Sequence, residues 1–329
     1  MTAPNASHTD NPTLGIALVI VGMLAISIND MLVKQLAGGY PLHEIVFARA
    51  SIGLFLCLIL VAFEGGYKIL RTDRPFMHAL RGMMIVTANM TFFLAIAAIP
   101  LADATALFFV APLFITVLSI PILGETVGMR RLIAVVIGFA GVLVMLQPGS
   151  SMMENASGTV VALLPVVAAF AYALTQILTR KLGISSKPSA LAVYIQLAFV
   201  IVSLAFWIAT GDGRFAEGVS NPSLELLLRA WRWPDSQDIW LLGLLGVISA
   251  VASYTLSAAY KLANAATIAP FEYVELPMAI FWGWLFWGEF PGPLTGAGIA
   301  LIAGAGIYVF WRERQRNRPL AMKRATRRW

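Results

Sequence analysis

The sequence predicts an all-α integral membrane protein, and three observations carry that prediction. It is 59% hydrophobic and only 12% charged, with mean hydropathy +0.80; an ordinary soluble domain has about 45–50% apolar and about 25% charged residues. Its 329 residues contain ten mostly apolar stretches, each near the length of about 20 residues that a helix needs to cross a bilayer core. Short motifs of the first half also return, in the same order, in the second.

The stretches run over residues 13–36, 42–63, 77–98, 102–122, 130–147, 158–181, 188–209, 238–261, 265–287 and 294–311. The first reads as a retained helix. Residues 1–12 contain no Lys or Arg, so the basic start of a cleavable signal is missing. Lipid offers no partner to open backbone groups, so spans are helices or closed barrels. Runs such as Leu132–Leu146 do not alternate as barrel strands would. Pro112 and Pro277 fall inside the fourth and ninth stretches and are expected to kink or open the backbone there. Trp282, Trp284 and Trp287 close the ninth stretch and read as an interfacial aromatic belt. Cys57 is the single cysteine, which excludes an internal disulfide framework.

Charge orients the bundle. The net charge is +6, but residues 312–329 alone hold eight basic side chains and one acidic one. That placement suits a membrane surface and not nucleic acid. With the N-terminus inside, 17 basic residues fall on inner segments. Only Arg214, Arg229 and Arg232 fall outside, all within residues 210–237. The positive-inside rule then puts both termini in the cytoplasm. The expected organisation is a cytoplasmic tail (1–12), a first repeat (13–147), a second repeat (158–311) carrying a long periplasmic loop (210–237), and a basic cytoplasmic tail (312–329).

The repeat rests on matched motifs. Ala102-Asp-Ala-Thr, Ala111-Pro112 and Gly124-Glu125 are followed by a Gly-rich run. Ala263-Asn-Ala-Ala, Leu276-Pro277 and Gly288-Glu289 are followed by another. The small-residue motifs are offset by 161 positions and the Gly-Glu motifs by 164, while Lys34-Gln-Leu-Ala-Gly and Arg180-Lys-Leu-Gly-Ile are offset by 146. Five helices per half gives the halves opposite orientations, a pattern of secondary transporters with substrate held near the midplane.

These motifs resemble the EamA repeats of the drug/metabolite transporter superfamily across residues 13–311. Asn29-Asp30-x-x-x-Lys34, Arg74-Pro-Phe-x-His78-x-Leu-Arg81-Gly82 and Ala269-Pro-Phe-Glu-Tyr273-x-Glu275-Leu look like the branch of bacterial importers of riboflavin and of S-adenosylmethionine. The resemblance implies ten transmembrane helices as two inverted five-helix repeats, a multi-pass place in the cell inner membrane, and alternating access. It implies import of a small organic metabolite, riboflavin first. S-adenosylmethionine uptake, or another organic-solute or amino-acid carrier including an exporter, is the alternative. The long loop 210–237 departs from the S-adenosylmethionine carriers. A small-molecule substrate and the lipid bilayer are the expected partners, with a homodimer left open and no nucleic acid. No cofactor and no metal are expected.

Ionisable groups at the bilayer centre need partners or a wet cavity. Asp30 and Lys34 stand at i and i+4 on one helix face. Arg49 is placed at a similar depth on the next helix, so Asp30 is expected to pair with Arg49 or Lys34. Glu272 and Glu275 lie on nearly one face, and two near carboxyls in low dielectric should not both ionise; they read as a proton-coupling or cation site. Tyr273, Asn89 and Gln176 complete the substrate-binding or coupling set. Gln196 and Tyr254 are expected to bridge helices, and His78 and Arg81 to sit at the inner interface. By the same resemblance Phe92, Phe93, Phe108, Phe109, Phe271 and Tyr273 surround the cavity. No catalytic motif is present: His8, His43 and His78 are scattered without a second ligand at metal spacing, and no phosphate-cradling Gly-x-x-x-x-Gly-Lys occurs. An enzyme is disfavoured because the polar groups are few and dispersed across both halves, and an ion channel because the Ala/Leu-rich helices suggest no continuous polar pore.

Overall fold

The computed structural model describes residues 12–123, 129–146, 156–183, 186–262 and 268–316. Among them there is no β-strand. The helices are α1 (Pro12–Ala37), α2 (Leu42–Glu64), α3 (Pro75–Ile96), α4 (Leu101–Phe108), α5 (Ala111–Leu123), α6 (Met129–Leu146), α7 (Ala156–Gly183), α8 (Pro188–Thr210), α9 (Pro222–Leu228), α10 (Ser236–Leu262), α11 (Glu275–Trp282) and α12 (Pro293–Arg316). A 3-10 turn over Ala269–Val274 precedes α11 and a π turn over Gly283–Trp287 follows it. Seven helical segments are long and apolar enough to cross a membrane, counting α4 with α5 as Leu101–Leu123. Two shorter apolar helices run over Leu132–Leu146 and Pro293–Ala305. The chain is thus a multi-pass membrane protein.

The main packing partners are α1 with α10, α3 with α7, α2 with α8, and α6 with α12, while α4 meets α11. Without a hydrophobic drive between helices in lipid, close approach depends on small residues. On α6 and α12 the contact is direct. A Cβ on Gly141 would stand 3.0 Å from the Gly298 carbonyl oxygen, and one on Gly298 would stand 2.9 Å from that of Gly141.

Two spans are broken, and the breaks position the site. The first falls at Phe109–Val110, just ahead of Pro112, between α4 and α5. The second is the Ala269–Val274 turn, which carries Pro270. It does not fall at Pro277, against expectation. Pro277 is the third residue of α11, where its missing N–H lies among those a helix leaves unpaired anyway.

Residues 210–237 are folded onto the bundle. Asn221 caps the short α9, accepting from the amides of Ser223 and Leu224. Ser223 Oγ donates to the Leu94 carbonyl at 2.6 Å, and Arg229 Nη1 to that of Ala37 at 3.1 Å. The Arg232 amide donates to Glu44 at 3.1 Å. Tyr40 donates to Asp238 at 2.6 Å and accepts from the Asp235 amide. Burial, with the Asp238 carboxylate, pushes the Tyr40 hydroxyl above its ordinary range.

The motif Gly288-Glu289 is a turn with a latch. Gly288 adopts φ +65°, the left-handed region that favours glycine. The turn brings Glu289 to Lys34, whose Nζ donates to both carboxylate oxygens at 2.9 and 2.7 Å; one of them also accepts from the Leu101 amide at 3.2 Å. Lys34 therefore pairs with Glu289 and not with Asp30. Trp287 lies under the same ammonium at 4.8 Å, and Trp282 donates to Ser27 at 2.8 Å. Only Trp284, 58% exposed, suits an aromatic belt. The matching Gly124-Glu125 and Ala263–Ala266 motifs lie outside the described residues, as do residues 1–11 and 317–329 of the tails.

Candidate functional site: a cavity between the helices

A cavity of about 1080 Å³, its open mouth included, lies at the centre of the bundle. Its wall takes residues from α1, α2, α3, α4, α5, α7, α8, α10, α11 and the Ala269–Val274 turn. Both backbone breaks border it: Phe109, Ala111 and Pro112 at the first, Glu272 at the second.

Five groups form one polar chain across four helices. Arg49 Nη1 donates to Asn29 Oδ1 at 2.8 Å, and its Nη2 donates to Asn89 Oδ1. Asn29 Nδ2 donates to Asp30 at 3.0 Å. Asp30 in turn lies beside Glu275 of α11. The Arg49 guanidinium lies over the Phe93 and Phe199 rings, at 5.1 and 5.0 Å, a cation–π seat on both sides. The expected direct ion pair between Asp30 and Arg49 is replaced by a relay through Asn29. An amide can serve both charges at once, accepting from the guanidinium and donating to the carboxylate.

The carboxyls also pair differently from expectation. Glu275 meets Asp30 across the α1–α11 boundary, while Glu272 accepts from Tyr172 at 3.2 Å and from Tyr260.

Of the residues singled out in the sequence, Asp30, Arg49, Asn89, Gln176, Glu272 and Glu275 line this one cavity. Lys34 does not, being held in the Glu289 latch. Tyr273 packs at 5.1 Å from Phe109, outside the wall, with its buried hydroxyl unpartnered. Of the expected aromatics Phe92, Phe108 and Phe109 line the wall, and Phe93, Phe271 and Tyr273 do not. Gln196 and Tyr254 bridge helices, as expected. Gln196 Nε2 donates to Ser249 at 3.0 Å and Ser253 at 3.1 Å, and Tyr254 donates to Glu64 at 2.6 Å.

Sequence reasoning missed Tyr172, Thr175, Thr179, Phe199 and above all Arg81. Arg81 and His78, expected near the inner end of the third span, are buried in protein, 2% and 3% exposed. The available signal was depth: Arg81 is the seventh residue of α3, a full turn beyond Pro75–His78.

The sequence matches the model of the EamA-like transporter family over residues 13–147. It is 30% identical over 253 residues to a riboflavin transporter of Rhizobium johnstonii, covering 77% of this chain and 76% of that one. It is 25% identical over 301 residues to an S-adenosylmethionine uptake transporter of Rickettsia prowazekii, covering 92% and 94%. A crystal structure of a protein 17% identical superposes with a TM-score of 0.66, over 93% of this chain and 99% of the other, which shows a shared fold alone.

Proposed function

The chain belongs to the EamA-like transporter family, and from that premise we propose that it is a secondary carrier importing a small flat-ringed metabolite, riboflavin first, through ten spans in two inverted halves. The observation that carries the substrate reading is the cavity wall. Phe92, Phe108, Phe109, Phe199 and Tyr172 present aromatic faces and edges, and Asn89, Gln176 and the carboxyls stand among them. A three-ring system wants such faces, and a polyhydroxylated tail wants such amides and carboxyls. The greater identity to a riboflavin transporter supports the same order of preference.

The inverted architecture draws support from packing. With five spans per half, α1, α2, α3, α4–α5 and α6 correspond to α7, α8, α10, the 269–287 segment and α12. Exchanging the halves turns the α1–α10 contact into α7–α3, and leaves α2–α8, α4–α11 and α6–α12 as they are. These main partners are unchanged by the exchange, although α8–α10 has no packed α2–α3 counterpart. The basic residues supply the orientation, both termini cytoplasmic in the inner membrane. Reporter fusions at Trp329 and within residues 210–237 should read inside and outside respectively; a periplasmic C-terminus overturns the orientation.

A second reading, S-adenosylmethionine, is favoured by one feature: Asp30, Glu272 and Glu275 line the wall and suit a sulfonium and an ammonium. The test is rescue of a riboflavin auxotroph at low external riboflavin. Rescue is the expected result. Failure to rescue by correctly inserted protein that takes up labelled S-adenosylmethionine moves the assignment to the second reading.

A further inference from the structure

Two guanidinium groups are buried in the cavity wall, and the protein treats them differently. Arg49 has a carboxylate within electrostatic reach, an amide relay to it and two aromatic faces. Arg81 has none of these. Its Nε donates to Thr179 Oγ1 at 2.6 Å and its Nη1 to the Leu191 carbonyl at 3.0 Å, both neutral acceptors. Thr179 is itself fixed, since its hydroxyl donates to the Thr175 carbonyl at 2.7 Å. The guanidinium is thus locked between α7 and α8, while among the described residues Nη2 takes no acceptor. Among the described residues no acidic side chain forms a hydrogen bond or ion pair with it. His78, about one turn before it on α3, is a base and can only add positive charge.

Holding a cation this way is expensive. A buried charge is normally paired, and one left unpaired in a membrane protein faces a water-filled cavity or a functional partner. Arg81 lines the cavity, so the missing counter-charge has room to arrive there. A guanidinium also offers the planar fork that carboxylate and phosphate oxygens fit. We propose that Arg81 is the seat for an anionic oxygen group, a carboxylate or a phosphate monoester, on the transported molecule. This rests on the reading above that the cavity holds the substrate and goes beyond it: riboflavin itself carries no oxyanion, so a phosphorylated flavin or a carboxylate-bearing metabolite is the molecule this seat selects. The site then recognises a flat ring between the phenylalanines, cationic or hydroxyl groups at the carboxyl wall, and an oxyanion at Arg81.

Purified full-length protein should be titrated with two matched ligand pairs, each differing only by the anion. Riboflavin 5′-phosphate against riboflavin tests the phosphate. S-adenosylmethionine against its decarboxylated form tests the carboxylate. In at least one pair the anionic member should bind on the order of tenfold tighter, as a charge-assisted contact supplies. Arg81→Gln should erase that gap within the pair, and Arg81→Lys should keep part of it.

Equal affinity within both pairs in the unmodified protein, or a gap that survives Arg81→Gln, overturns the proposal. The first criterion holds even where Arg81→Gln fails to fold. Riboflavin binding with no gain from the phosphate, and none from the carboxylate, sinks the Arg81 seat and spares the riboflavin reading. A gap in the S-adenosylmethionine pair that depends on Arg81, with neither flavin bound, does the reverse. Folded protein that binds none of the four overturns both.

Discussion

The Asp30–Arg49 wall and the Arg81 wall of the same cavity are a natural experiment in buried charge. On the first wall the charges are largely answered from within: Arg49 by Asn29, Asn89 and two rings, with only its Nε left without an acceptor, Asp30 by Asn29, and Glu272 by two tyrosines. On the second, Arg81 is fixed by neutral groups, and among the described residues no carboxylate bonds to it. The difference separates two uses of an intramembrane charge. A largely self-satisfied network ties helices together. A fixed but unanswered charge is arranged for something that comes and goes.

The comparison breaks most severely at Arg49. Arg49→Ala strands Asp30 and both asparagine oxygens in the interior, and losing one partner of a buried charge costs about 3–5 kcal/mol. We expect transport to disappear and the yield of folded protein to fall, measured by uptake and by monodisperse protein after extraction. Near-normal yield would place Arg49 in the substrate-answered class with Arg81.

Glu275→Gln sharpens the comparison with a smaller effect. An amide can donate to Asp30 without a shared proton, so the fold should hold. Uptake measured from acid to alkaline pH should lose its pH dependence. A profile like that of the unmodified protein would show that the Asp30–Glu275 contact is structural only.

The Lys34–Glu289 latch lies off the cavity and gives the smallest effect. Its side chains are 10% and 27% exposed, so a double-mutant cycle should return a coupling of about 1 kcal/mol in thermal stability. Removing the latch should leave ligand affinity unchanged. An affinity loss as large as that at Arg81 would make the latch part of the site.

Much of this was legible in the sequence, for physical reasons that can be named. Helical segments follow hydropathy because the bilayer forbids open backbone, and Asp30, Arg49, Asn89, Gln176, Glu272 and Glu275 stood out because polar groups in apolar runs need a reason. Partner choice was not legible. Asp30 and Lys34 share a face by spacing, yet Lys34 is claimed by Glu289, 255 positions away, through a glycine turn whose geometry no hydropathy profile reports. Glu272 and Glu275 are neighbours in sequence but answer to different helices, because the backbone leaves the 3-10 turn for α11 between them. Arg81's place in the cavity wall was missed because a basic residue near a helix start reads as interfacial until the neighbours that cover it are known.

The central claim is that this cavity holds the flat-ringed substrate, and flavin fluorescence tests it most directly. Riboflavin stacked among Phe108, Phe109 and Tyr172 should be quenched saturably by purified protein. Phe108, 5.2 Å from Tyr172 and 5.4 Å from Phe92, supplies one face of that seat. Phe108→Leu should weaken the titration by about fivefold to tenfold, the worth of one aromatic contact of about 1–1.5 kcal/mol. Saturable quenching that Phe108→Leu weakens is the predicted result; folded protein that leaves riboflavin fluorescence unchanged, or a titration indifferent to Phe108→Leu, would contradict it.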